Sequence, residues 1–112
     1  MHERARDAVT RHNTSETQAT MLLRLGTTQR DVAEGRVYAL GRAVETHRRA
    51  VALFERVLPS PHHATLTARQ VLAETLAQAS QLDDARDELR AILEHAPTRA
   101  AAREALAALD AR

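Results

Sequence analysis

Residues 66–97, LTARQVLAETLAQASQLDDARDELRAILEHAP, constrain this chain more than any other stretch. They carry two amphipathic patterns, a tight interruption between them, and a closing proline. The leading pattern, from about 66 to 79, sets Leu72, Ala73, Leu76 and Ala79 on one face at helical spacing. Thr67 and Gln70 have the spacing of a capping box at its start. Ser80-Gln81 then breaks the apolar rhythm. Leu82 precedes Asp83, a good N-cap residue. Asp84, Asp87 and Glu88 keep the next turns acidic, which suits the positive end of a helix dipole. Ala85, Leu89, Ile92 and Leu93 make the apolar face of this second helix. Pro97 cannot continue it and pushes Ala96 out of the α region. Two helices joined so briefly must be antiparallel neighbours.

Upstream lies a longer pattern. Ala33, Val37, Leu40, Val44, His47, Val51, Phe54 and Leu58 recur at alternating spacings of four and three. This heptad-type seam implies a long helix from about 35 to 58, with His47 its one polar intrusion. Glu45 and Arg49 support it as a pair four residues apart in the favourable order. The break before it is placed at Gly35. Pro59 and Pro61 end it. Ala19, Leu22, Leu23, Leu25, Val32 and Ala33 give the preceding helix, with Ser15 and Gln18 at capping-box spacing. Gly26 is either a C-cap, with a new start at Thr27-Thr28, or a close-packing position inside one helix. His12-Asn13-Thr14-Ser15 reads as a break, so residues 1–14 are expected to form an arm or short helix, and residues 15–112 one helical domain. After Pro97, Thr98 is a plausible N-cap. Ala101, Ala102, Ala105, Leu106 and Leu109 form the inward face of a final helix.

These residues resemble the tetratricopeptide repeat, a helix pair of about 34 residues. Counting back from Pro97, the positions of Leu72, Ala73, Leu76, Leu82, Ala85, Leu89 and Ile92 match its spacing. Arg69 stands where the family usually has an aromatic. The connector Pro59-Ser60-Pro61-His62-His63-Ala64-Thr65-Leu66 is similar to that of bacterial kinesin-light-chain-type repeats, with His62, Thr65 and Leu66 matching. An offset of 42 pairs Leu40 with Leu82, Ala43 with Ala85 and His47 with Leu89. Leu25-Gly26 is similar to the Leu-Gly pair of a first repeat helix. The resemblance covers residues 40–97. It implies an all-α array of antiparallel helix-turn-helix repeats, five or six helices in all, closed by a C-terminal capping helix. It also implies a concave face that binds protein or peptide. Gln70, Glu74, Ala77 and Gln78 would line that face, with Arg24 and Arg30 as neighbours from the earlier helix. His62 would bond backbone in the connector. Some family members clamp a peptide carboxylate with lysine and asparagine; this chain has no lysine, and Gln70 and Glu74 hold the nearest positions.

Charge narrows the classes of partner. The 112 residues carry 16 basic and 15 acidic groups, for a net charge of +1, so no strong field draws the chain to nucleic acid or membrane. All 16 basic residues are arginine, and there are 23 alanines, a bias expected of GC-rich coding sequence. There is no cysteine, so thiol and disulfide chemistry do not apply. No apolar run has membrane-spanning length, and the start lacks a signal-peptide pattern, so a cytoplasmic location is expected. With Tyr38 and Phe54 the only aromatics, the core must be aliphatic.

Chemistry-bearing patterns are sparse. Six histidines invite a metal site through His62, His63 and His95, but no spacing of paired ligands is present, and no metal or cofactor is expected. His47 reads as a packing histidine whose pKa would fall on burial. Ser15, Ser60 and Ser80 sit in turn contexts. Asp83-Asp84 and Asp87-Glu88 read as a capped, solvated helix start rather than paired catalytic carboxylates. Arg48-Arg49, Arg86 and Arg90 are interleaved with acids and lack an aromatic platform for nucleic acid. The first expectation is therefore a non-enzymatic module that binds protein or peptide. The alternatives are a homodimeric bundle pairing through the 33–58 seam, and a small-molecule or catalytic pocket between helices, which would need inward-pointing polar residues.

Overall fold

A computed structural model describes residues 2–60 and 62–112, with side chains from Thr14 onward. Five α-helices follow one another: α1 (His2–Ala33), α2 (Val37–Val57), α3 (His63–Gln78), α4 (Leu82–His95) and α5 (Ala100–Asp110). No strand occurs among the described residues. Each helix packs on the next in sequence, and α3 also touches α1 on one side and α5 on the other. Helices α2 and α4 have no close backbone approach. Thus α1, α3 and α5 line one side of a slab of 58 × 32 × 16 Å, and α2 and α4 line the other.

The core is aliphatic, as the lack of aromatics requires. Leu40, Val44, Val51 and Phe54 of α2 meet Leu66, Leu72 and Leu76 of α3 and Leu89 and Ile92 of α4 in one cluster. The α2 seam is buried at every described position between Leu40 and Phe54, whereas Val37 is exposed. That corrects the expected dimer contact: α1 and α3 of the same chain already cover the seam. The final helix buries Ala102 and Leu109, half-buries Ala105 and Leu106, and leaves Ala101 exposed, contrary to expectation. Arg86 of α4 ties down its end, donating to the Leu109 carbonyl at 3.0 Å and to Asp110 at 3.2 Å.

The turns explain where the helices stop. Between α1 and α2, Glu34 (φ 50°) and Gly35 (φ 78°) take the left-handed region, so the expected break at Gly35 is where the chain turns. Between α3 and α4, Ser80 (φ 63°) does the same. The Gln81 N–H reaches back to the Leu76 carbonyl at 2.8 Å, and the Ser80 N–H to Ala77 at 3.1 Å. This is a Schellman-type ending without glycine. Gly26 lies inside α1 and ends nothing.

Helix starts differ more from expectation. The α1 backbone stays helical through residues 12–15, so there is no break and Ser15 caps nothing. Polar residues in a helix interior cost only tenths of a kcal/mol each, roughly 0.5 relative to alanine, and this run does not stop the ladder. The side chains of the expected arm before Thr14 lie outside those described, and Pro61 lies outside the described residues. Helix α3 starts at His63, four residues before the expected Thr67–Gln70 box. Its N-cap is His62, whose Nδ1 accepts from the Ala64 N–H at 3.0 Å, so this ring does bond connector backbone. Gln81 and Arg99, with no side-chain cap, take the N-cap positions expected of Asp83 and Thr98.

Candidate binding face

The side formed by α1, α3 and α5 is centred on α3. Thr67, Gln70, Glu74 and Gln78 recur along it at spacings of three and four, so they share one stripe. Arg30 of α1 approaches this stripe from one flank: its Nη1 is 3.4 Å from the Thr75 hydroxyl and 3.9 Å from Glu74 Oε2. Arg99, just before α5, approaches from the other and donates to the Thr67 hydroxyl at 2.9 Å. Gln70 is buried between them, and its Nε2 donates to Glu74 Oε1 across a long 3.4 Å. The buried Gln70 Oε1 has no hydrogen-bond partner.

The structure therefore brings together Arg30, Gln70 and Glu74 of the expected site. Gln78 is exposed further along α3, and Ala77 is half-buried against the core. Arg24 is not with them. It lies six residues before Arg30, about 240° around the helix at ~100° per residue, on the exposed arc of α1. Arg99 was not legible, because the residue before a helix start carries no signal of where it reaches.

Behind the face sits a polar junction of three helices. His47 of α2 is fully buried. Its Nδ1 is 3.0 Å from the Thr75 hydroxyl of α3, and its Nε2 is 3.4 Å from the Thr27 hydroxyl of α1. Each hydroxyl also lies 3.0 Å from the carbonyl four residues back, Val71 and Leu23, so neither depends on the ring for a partner. Burial, and then the charge of nearby Arg30, push the His47 pKa below its ordinary value, while a bond to the Leu23 carbonyl pulls the other way. Gly26 makes room for the ring: a Cβ built there would overlap the imidazole. The inward polar cluster that a ligand pocket would need is thus present, but its own side chains fill the space. Thr75 and Thr27 could have been anticipated, since a histidine on an apolar seam needs a polar partner from each helix it faces.

Arg69, at the position where the resembling family carries an aromatic, bridges helices instead. It pairs with Glu55 of α2 and, at 2.9 Å, with Glu88 of α4. Among the described side chains the remaining histidines are dispersed: His62 caps α3, while His63 and His95 are exposed. Among the described residues, no group of three or more His, Cys, Asp or Glu is placed to hold a metal ion. Nor is any helix among them long and apolar enough to cross a membrane. No family model, no curated protein and no solved structure matches the chain.

Proposed function

We propose that this chain is a non-enzymatic helical-repeat module of the tetratricopeptide kind, which holds a protein segment or peptide across the face of α1, α3 and α5. The observation that carries the reading is Gln70. A buried amide oxygen without a donor costs about 1–3 kcal/mol, and a docked backbone N–H would supply that donor. Only a 3.4 Å contact holds the amide, so it can turn toward a ligand. Arg30 supports the same reading. It is largely buried, and its nearest side-chain acceptors lie at 3.4 to 3.9 Å, longer than a charge-assisted bond prefers. A peptide carbonyl or carboxylate would complete it. A donor-seeking amide beside an acceptor-seeking guanidinium suits a peptide group, which offers both. The repeat reading itself is supported by sequential antiparallel packing with α1, α3 and α5 aligned on one side.

The test is selection of random peptides on the immobilised chain, followed by titration against Gln70→Leu and Arg30→Gln. A selected peptide should bind the wild type and lose tenfold or more with each variant, while circular dichroism stays unchanged. Equal binding to all three proteins would place the ligand elsewhere.

A further inference from the structure

Helix α1 has a second apolar face that no described residue covers. Its inner arc, Ala19, Leu23, Gly26, Arg30 and Ala33, packs on α2 and α3. Its outer arc carries Gln18, Met21, Leu25, Thr28 and Val32, again at alternating spacings of three and four. Met21 is 64% exposed, Leu25 50% and Val32 68%. That is a two-heptad seam facing solvent, and such a seam seeks another helix. Clefts beside it continue the apolar surface onto α2, one reaching Leu22 and Leu53, the other reaching Tyr38 and Ala39. Tyr38, half the aromatic content of the chain, is 98% exposed there.

The charges beside the seam select the occupant. Among the described side chains, Arg24 and Asp31 are the two charged residues on its outer rim, seven apart and of opposite sign. Both are exposed. Arg24 has no ion pair with a described residue, and Asp31 has only a 3.9 Å approach from its neighbour Arg30. An antiparallel copy of the same helix, with its two-fold axis between Gly26 and Thr27, sets Met21 opposite the other copy's Val32 and Leu25 opposite its Thr28. In that register Arg24 and the other copy's Asp31 occupy the same interval between layers, and the symmetry makes the pair twice. A parallel copy would instead set Arg24 beside the other copy's Gln29, where there is no opposite charge to meet. The geometry points to a second copy of this chain, docked antiparallel on the outer face of α1, with the Leu22–Leu53 cleft of each copy covered near Tyr38 of the other. An isologous interface of this type closes as a dimer and leaves the peptide-binding side of α3 free.

Multi-angle light scattering and sedimentation equilibrium test it. The wild type should reach twice the 12.4 kDa chain mass as concentration rises. Met21→Glu with Leu25→Glu should give a folded monomer. Arg24→Asp alone and Asp31→Arg alone should each weaken dimerisation at least tenfold. The two together should restore it, because the pair is only inverted. Circular dichroism controls for folding, since all four positions lie outside the core. A wild type that stays monomeric at several hundred micromolar overturns the inference. So does a dimer that survives the two glutamates, and so does a double charge inversion that fails to restore what each single inversion lost.

Discussion

The α1–α2 and α3–α4 hairpins solve one packing problem in two ways. In the α3–α4 hairpin, Ala73 and Leu89 are both buried apolar residues of the core. At the places that the repeat resemblance pairs with these, the α1–α2 hairpin has Gly26 and His47. The glycine gives up its methyl to a planar ring, and the ring then has two polar nitrogens to satisfy. Thr27 and Thr75 do so, and Thr75 belongs to α3. The polar choice thus ties the two hairpins together by directional bonds, whereas the apolar one joins them only through the shared core. Directional bonds specify which helix comes next; methyl groups only ask to be buried.

That contrast can be broken by mutation. Leu89→Ala should have the largest effect, about 3 kcal/mol off the unfolding free energy, because it empties a fully buried site. Denaturant titration reads it directly. Gly26→Ala should cost ~2 kcal/mol through overlap with the imidazole. The reciprocal Ala73→Gly should cost only about 1 kcal/mol of helix propensity. Most of the Gly26→Ala loss should vanish in a His47→Ala background, a coupling that a double-mutant cycle measures. A loss equal in both backgrounds would mean that the ring is not what Gly26 accommodates.

His47→Leu should make the first hairpin like the second. Both threonine hydroxyls keep a carbonyl on their own helices, so stability at neutral pH should move by ~1 kcal/mol or less. What should change is its pH dependence. The folded-state pKa of His47 lies below the ordinary 6.5, so both states are neutral above that value. As pH falls from 6.5 toward the folded pKa, the unfolded chain takes up the proton first, and stability is lost over that window. The wild type should show this loss in thermal melts and His47→Leu should not. A smaller gain is expected at the turns. Both hairpins place a non-glycine residue in the left-handed region, Glu34 and Ser80. Glu34→Gly and Ser80→Gly should each stabilise by about 0.5 kcal/mol, since glycine carries no Cβ penalty there.

How legible each part was follows from the kind of signal it leaves. The α3–α4 pair, the Gly35 turn and the α2 seam all rest on apolar period, and the structure has them within a few residues. Helix starts were less legible because hydroxyl and acid spacings are common by chance. The α3 cap, an imidazole nitrogen, uses a group outside the usual set of capping residues. The apolar residues of α1 mark a helix without marking its faces: Ala19, Leu23 and Ala33 lie inside, Met21, Leu25 and Val32 outside. Period alone cannot separate a broad face from two narrow ones. Of the expected binding residues, the three that meet do so because α3 presents a stripe and Arg30 falls on the inner arc of α1. Arg24 misses because its angular position puts it on the other arc.

Arg69 has a mechanical consequence. Helices α2 and α4 share the apolar core without a close backbone approach, and on that side charges brace the hairpins: Glu55, Arg69 and Glu88 form one strut, and Arg48 lies 3.6 Å from Asp84. Packed methyl groups resist bending with little regard to the solution, but a partly exposed charge strut slackens as ions screen it over roughly 10 Å at 0.1 M salt. Rising salt should loosen the α2–α4 side, read by X-ray scattering as a drift of the radius of gyration from near 15.5 Å, and Arg69→Leu together with Arg48→Leu should abolish that drift. The spread of the α1–α3–α5 face, and with it the length of segment proposed to dock there, would then follow the electrolyte around it.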